Sequence, residues 1–162
     1  MLRVRRSNTI TFPSNKTDKT SRVAFDDYIM QVCRAVATRA TCRHRDQGAV
    51  IVRNKRIIST GYNGAPPGMK DCLERGYCSK IEDLPCLAEG LHGESNAIIT
   101  AAREGISIDG ATIYCVYSPC RCCANMMKVA GIVEVVYENM YSTYPEGPSY
   151  LESLGIKVRK LG

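Results

Sequence analysis

Two short strings constrain this chain more than anything else in it: His92-Gly93-Glu94 and Pro119-Cys120-Arg121-Cys122-Cys123, each standing where a helical pattern begins. One imidazole and two thiols in C-x-x-C spacing make three ligands of the kind zinc prefers. A tetrahedral ion held by three protein groups keeps a fourth position for water, whereas a structural site is normally closed by a fourth side chain. Thiolates at a helix start are stabilised by the helix dipole and the free amide groups, which lowers their pKa. Pro119 stops the preceding strand and sets the helix start. Glu94 is too close to His92 in sequence to be a good fourth ligand from the same turn. It is expected beside the water, where it can take a proton and pass it on. Cys122 should face another direction on its helix and is read as a bystander. A closed structural site using Cys122 or Glu94 is the competing reading.

The hydrophobic pattern around these strings alternates in period. Residues 24–40 carry Phe25, Tyr28, Ile29, Val32, Cys33 and Val36 at helical spacing. Strands are expected over 48–53 and 56–61, joined by a short turn at Asn54-Lys55. A helix follows over 92–104, ended by Gly105, then a strand over 111–117, a helix over 120–130 and a strand over 132–137. A short helix near 148–154 and a strand near 156–159 close the pattern. Consecutive βα units imply a partly parallel sheet covered by helices. The apolar runs IYCV and IVEVV suit strands buried on both faces. Residues 63–91 read as one long Gly-, Pro- and Cys-rich connection, of a length that is usually functional or clamped by something.

With 162 residues, 44% of them hydrophobic, the chain can bury one ordinary core. No apolar run reaches a membrane span and the start does not read as a secretion signal. Nine cysteines, an odd number, do not fit a secreted disulfide framework, so a reducing, cytoplasmic setting is expected. Cys33 and Cys115 lie in apolar runs and read as buried hydrophobes. The net charge is +6, of which residues 1–22 carry +5 through six basic side chains against Asp18 alone. Residues 1–22 are therefore expected to be a basic, flexible arm, and 23–162 a single domain too nearly neutral to suggest a nucleic-acid footprint.

The two strings together make the H-x-E…P-C-x-x-C pattern of zinc nucleobase deaminases. With Gly48-Ala49-Val50-Ile51-Val52, with Ile57 to Gly68 (IISTGYNGAPPG), and with the residues following each ligand string, the chain resembles the cytidine and deoxycytidylate deaminase family from about Tyr28 to Val158. The G-Y-N-G-x-P-x-G stretch places the resemblance on the deoxycytidylate branch. It implies a three-layer α/β/α fold with a five-stranded mixed sheet, one catalytic zinc on His92, Cys120 and Cys123, and Glu94 as the proton carrier in hydrolysis of dCMP to dUMP and ammonia. It implies trimers or hexamers, with dCTP–Mg²⁺ as activator and dTTP as inhibitor. Where the family has H-A-E, this chain has Gly93, whose amide remains able to hold the pyrimidine carbonyl. Asn63 is expected to contact the nucleotide, and Tyr141 the 5′-phosphate, with Arg45 as a weaker candidate for the phosphate. Loop 61–68 is a further candidate for the effector triphosphate. Cys72, Cys78 and Cys86 suggest a second, structural zinc, completed by Cys42 or failing that His44. Competing readings are a deaminase of another cytosine substrate (dCTP, cytidine or single-stranded nucleic acid) and a non-catalytic zinc scaffold.

Overall fold

Five strands form one mixed sheet in the order β2-β1-β3-β4-β5. The computed structural model describes residues 21–77 and 90–162. Helix α1 (Phe25–Ala37) leads into the hairpin β1 (Gly48–Arg53) and β2 (Arg56–Tyr62). Asn54 and Lys55 both take positive φ, the backbone twist that a two-residue hairpin needs. A four-residue helix α2 (Cys72–Arg75) follows, then α3 (Gly93–Arg103), β3 (Thr112–Tyr117), α4 (Arg121–Val129), β4 (Glu134–Asn139), α5 (Gly147–Ser153) and β5 (Lys157–Lys160). Strand β1 pairs antiparallel with both β2 and β3, while β3, β4 and β5 run parallel. The expected elements are all present, with ends shifted by one to three residues. The expected 63–91 connection contains α2, whose start is a reciprocal capping box between Asp71 and Glu74.

The sheet is buried on both faces, which explains its apolar runs. Val50 and Val52 of β1, with Tyr114 and Val116 of β3, pack against Ile29, Met30 and Cys33 of α1. The alternate residues Ala49, Ile51, Ile113 and Cys115 pack against α3 and α4, and Leu151 of α5 joins that side. The result is the three-layer α/β/α arrangement, in which strand periodicity assigns each residue to one core. Burial pushes the Cys33 and Cys115 thiols up, so both behave as hydrophobes.

Two glycines let helices approach the sheet at backbone distance. A Cβ on Gly48 would stand 2.1 Å from the Cys33 carbonyl, and one on Gly61 would stand 2.3 Å from both the Ala97 nitrogen and the Gly93 carbonyl. The Gly61 contact seats the first turn of α3 directly on β2. It thereby fixes where His92, Gly93 and Glu94 emerge.

The β5 edge is tied to α1 by one guanidinium. Arg159 donates to Asp26 Oδ2 (2.6 Å) and to Glu134 Oε1 (2.8 Å), and the Tyr114 hydroxyl donates to Asp26 Oδ1 (2.6 Å). The Arg159 hydrogen bond holds the Asp26 carboxyl below its usual value. Burial pushes Glu134 up, but its bonds from Arg159 and Lys157 outweigh this and leave it low. Carboxyls lowered by folding add stability above their unfolded pKa, near ~4, and that share is lost as pH falls through their folded values. Arg159→Leu should cost about 1–2 kcal/mol in a denaturant titration at pH 7, and less at pH 3. An equal loss at both pH values would contradict the ion-pair account.

Candidate active site

His92 and Cys120 are the N-cap residues of α3 and α4, both with extended backbone. An N-cap side chain ordinarily accepts a hydrogen bond from the helix's first turn. Neither of these does so. The two side chains turn toward each other instead: His92 Nδ1 lies 3.4 Å from Cys120 Sγ and 3.4 Å from Cys123 Sγ. One ligand atom from each of the three residues lies within 4.8 Å of the others, the only such metal-ligating cluster among the described residues. Nitrogen and sulfur ligands on one tetrahedral zinc stand roughly 3.5 Å apart, from bond lengths of about 2.1 and 2.3 Å. Donor types and spacing therefore both fit zinc.

The electrostatics divide the two thiols: the Cys120 hydrogen bond and burial push the Cys123 thiol well up. A hydrogen bond from Cys123, reinforced by His92, holds the Cys120 thiol well below the usual thiol range. Two adjacent buried thiolates ionise together only beside a cation. Cys122 is exposed and points away from the cluster that Cys120 and Cys123, both buried, share with His92.

Glu94 is buried in the first turn of α3. Its Oε1 accepts from Gln47 Nε2 at 2.9 Å, while Oε2 is buried with no hydrogen-bond partner among the described residues. Burial pushes its carboxyl up, against the lowering effect of His92. An unsatisfied buried acceptor costs about 1–3 kcal/mol, a cost that a water or a ligand N–H at Oε2 would remove.

These groups open onto a cavity of about 200 Å³, whose lining includes His92, Glu94, Cys120, Asn63, Arg45 and Tyr141. Asn63 faces it with a largely committed amide: Oδ1 accepts from the Gln47 backbone (2.9 Å) and Nδ2 donates to the Arg45 carbonyl (2.8 Å). Asn63 thus latches the segment that leads into β1. Arg45 reads in isolation as a solvated charge, but its guanidinium lies between two rings, 4.4 Å from the Tyr117 centroid and 4.2 Å from that of Tyr141. Its Nη1 is buried and unpartnered among the described residues. Tyr141 is brought to the same place, its backbone held by the Ser118 hydroxyl. Gly93 is buried, and a Cβ there would crowd the Gln47 and Gly61 carbonyls. This close packing accounts for Gly in the middle of the string.

Cys42, His44 and Cys72 are among the residues lining the cavity, but Cys78 and Cys86 lie outside the described residues. Gln47 was not singled out by sequence reasoning. A polar residue one place before a strand carries no signal of burial. Cys123→Ser should abolish stoichiometric zinc retention after dialysis against a mild chelator, while Cys122→Ser should retain it. Equal retention by both would exclude this cluster as the metal centre.

The model for the cytidine and deoxycytidylate deaminase zinc-binding region matches residues 23–139. A Bacillus subtilis protein, ComE operon protein 2, is 38% identical over 86% of this chain and 72% of its own length. Deoxycytidylate deaminase of Schizosaccharomyces pombe is 37% identical over 86% of this chain, and the chain spans 44% of that protein's length. The solved structure of the cyanophage S-TIM5 dCMP deaminase in complex with dCMP and dUMP superposes with a TM-score of 0.75. It is 30% identical and covers 87% of this chain and 99% of its own. No helix among the described residues is long and apolar enough to cross a membrane.

Proposed function

This chain belongs to the cytidine and deoxycytidylate deaminase family, and we propose that it hydrolyses dCMP to dUMP and ammonia. The observation that carries this reading is the unpartnered, buried Oε2 of Glu94 in the cavity that His92 and Cys120 also line. A scaffold has no use for a buried acid left unsatisfied at that point. The likeness to a dCMP deaminase solved with dCMP and dUMP supports the choice of substrate.

His92, Cys120 and Cys123 would hold zinc, which when bound supplies the Lewis acidity that makes water nucleophilic near neutral pH. The water oxygen bonds to C4 of the cytosine ring and the C4–amino bond breaks. Glu94 takes a proton from the water through Oε2, delivers it to ring N3, and moves the second proton to the departing amino group, which leaves as ammonia. The Gly93 N–H, at the start of α3, holds the pyrimidine carbonyl. Arg45 supplies the 5′-phosphate with a guanidinium already stacked and oriented by Tyr117 and Tyr141. The phosphate anchor is thus Arg45, with Tyr141 orienting it, and Asn63 sets the segment on which Arg45 stands.

Family resemblance further supports a homo-oligomer, a trimer or hexamer, with dCTP–Mg²⁺ activating and dTTP inhibiting. A second zinc on Cys42, Cys72, Cys78 and Cys86 fits the place of Cys42 and Cys72 in the cavity lining. Metal analysis should then return close to two zincs per chain, and a value near one would remove the second site.

An ammonia-release assay across dCMP, CMP, dCTP and deoxycytidine should show dCMP as the preferred substrate. Faster turnover of any of the others would overturn the assignment. Glu94→Ala should lower kcat by at least ~10²-fold with zinc retained. Arg45→Met should raise KM for dCMP by about 10–100-fold, the worth of a charged hydrogen bond, and leave deoxycytidine turnover unchanged. Equal effects on both substrates would exclude Arg45 as the phosphate anchor.

A further inference from the structure

We propose that Gln47 is a positioning residue for Glu94: its side-chain amide docks Oε1 and so reserves Oε2 for proton transfer. The proposal rests on the deamination reading above. Three hydrogen bonds define the amide. Its Oε1 accepts from the Tyr117 N–H at 2.9 Å, and its Nε2 donates to the Tyr117 carbonyl at 3.1 Å and to Glu94 Oε1 at 2.9 Å. A primary amide has two N–H donors, and both are used. Tyr117 offers one donor and one acceptor of the main chain, so only one orientation of the amide satisfies it. The Nε2 edge is therefore the one that faces Glu94.

The position of Gln47 is equally determined. The β1·β3 ladder pairs Ala49 with Cys115 and Val50 with Tyr114. Continued by two residues, that register puts Gln47 opposite Tyr117, and there the side-chain amide stands in for the missing backbone pair. On its other side Gln47 is bound through its backbone: its N–H donates to Asn63 Oδ1, and its carbonyl accepts from the Asn63 N–H at 3.2 Å. Gln47 thus extends the sheet by one residue on both sides, and Glu94 receives a hydrogen bond from a rigid support.

Gly93 supplies a second, independent observation. A Cβ at that position would lie 3.0 Å from the Gln47 carbonyl and 3.1 Å from its Cγ. With no side chain between His92 and Glu94, Gln47 lies closely against the first turn of α3, where a Cβ would push it back by a few tenths of an ångström. Oε1 is thereby docked while Oε2 remains without a partner among the described residues. One carboxylate oxygen is held and the other left free, which suits a group that must take a proton at one atom and return it from the same atom.

The test compares Gln47→Leu with the isosteric Gln47→Glu in zinc-loaded, full-length protein. Both lose the N–H that docks Glu94. Expected is a kcat for dCMP lowered by about 10–100-fold, the scale of a misplaced catalytic group. KM, the calorimetric Kd for dUMP and the zinc content should each stay within about threefold of wild type. A kcat within twofold of wild type in both variants would overturn the proposal. So would a parallel loss of dUMP affinity, zinc and thermal stability in both, which is what a merely structural role produces. Failure of the wild-type protein to release ammonia from dCMP would instead sink the deamination reading and is read separately, while the dUMP, zinc and stability readings remain.

Discussion

Everything at the site depends on two helix N-termini brought face to face, whose cap side chains make no capping hydrogen bond. At most helix starts the cap side chain is absorbed by the first-turn amides. Here His92 and Cys120 keep extended backbone and do not cap those amides, and the imidazole and the thiol meet each other instead. The positive ends of both helix dipoles then point at the same small volume. This favours thiolates over thiols. The conflict that remains, two buried thiolates side by side, is one that only a cation resolves.

The sheet exists, for this purpose, to hold those two starts in register. Helix α3 is seated on β2 at Gly61, where nothing larger fits, and at Gly93, where a Cβ would be tight. Helix α4 follows β3 through Ser118 and Pro119, both buried, and Ser118 is anchored to the Asn139 carbonyl and the Tyr141 N–H. The segment from Arg45 to Gln47 closes the third side, held to β2 by Asn63 and to β3 by Tyr117. The His92, Cys120 and Cys123 cluster, Glu94 and the Arg45 guanidinium thus come from three segments clamped to adjacent strands. None depends on a free loop.

Much of this was legible in the amino-acid pattern. The continuous apolar runs of β3 and β4 announced strands covered on both faces, and the helical stripe of α1 and the Gly105 terminator gave helix limits within a few residues. The His92, Glu94, Cys120 and Cys123 spacing was enough to mark a metal-ligating string and an acid beside it. What escaped were roles created by tertiary contact alone. Gln47 gave no signal because its burial comes from register with Tyr117, seventy positions away. Arg45 looked solvated because its two stacking rings arrive from the ends of other strands. Asn63 read as a nucleotide contact, and the latch of its side-chain amide on the Arg45 and Gln47 backbone has no compositional signature. The Asp26–Arg159–Glu134 knot joins the two ends of the domain, beyond the reach of any local pattern.

The central claim is an ion held by three protein side chains with its remaining position open to water. X-ray absorption on zinc-loaded protein tests it directly. The account predicts two sulfur neighbours at about 2.3 Å and two lighter ones near ~2.0–2.1 Å, of which only one fits an imidazole ring. With Cys42 and Cys72 replaced by serine, so that the protein carries one zinc, a third sulfur, a second imidazole or a carboxylate in the shell would mean a closed structural site and would contradict it.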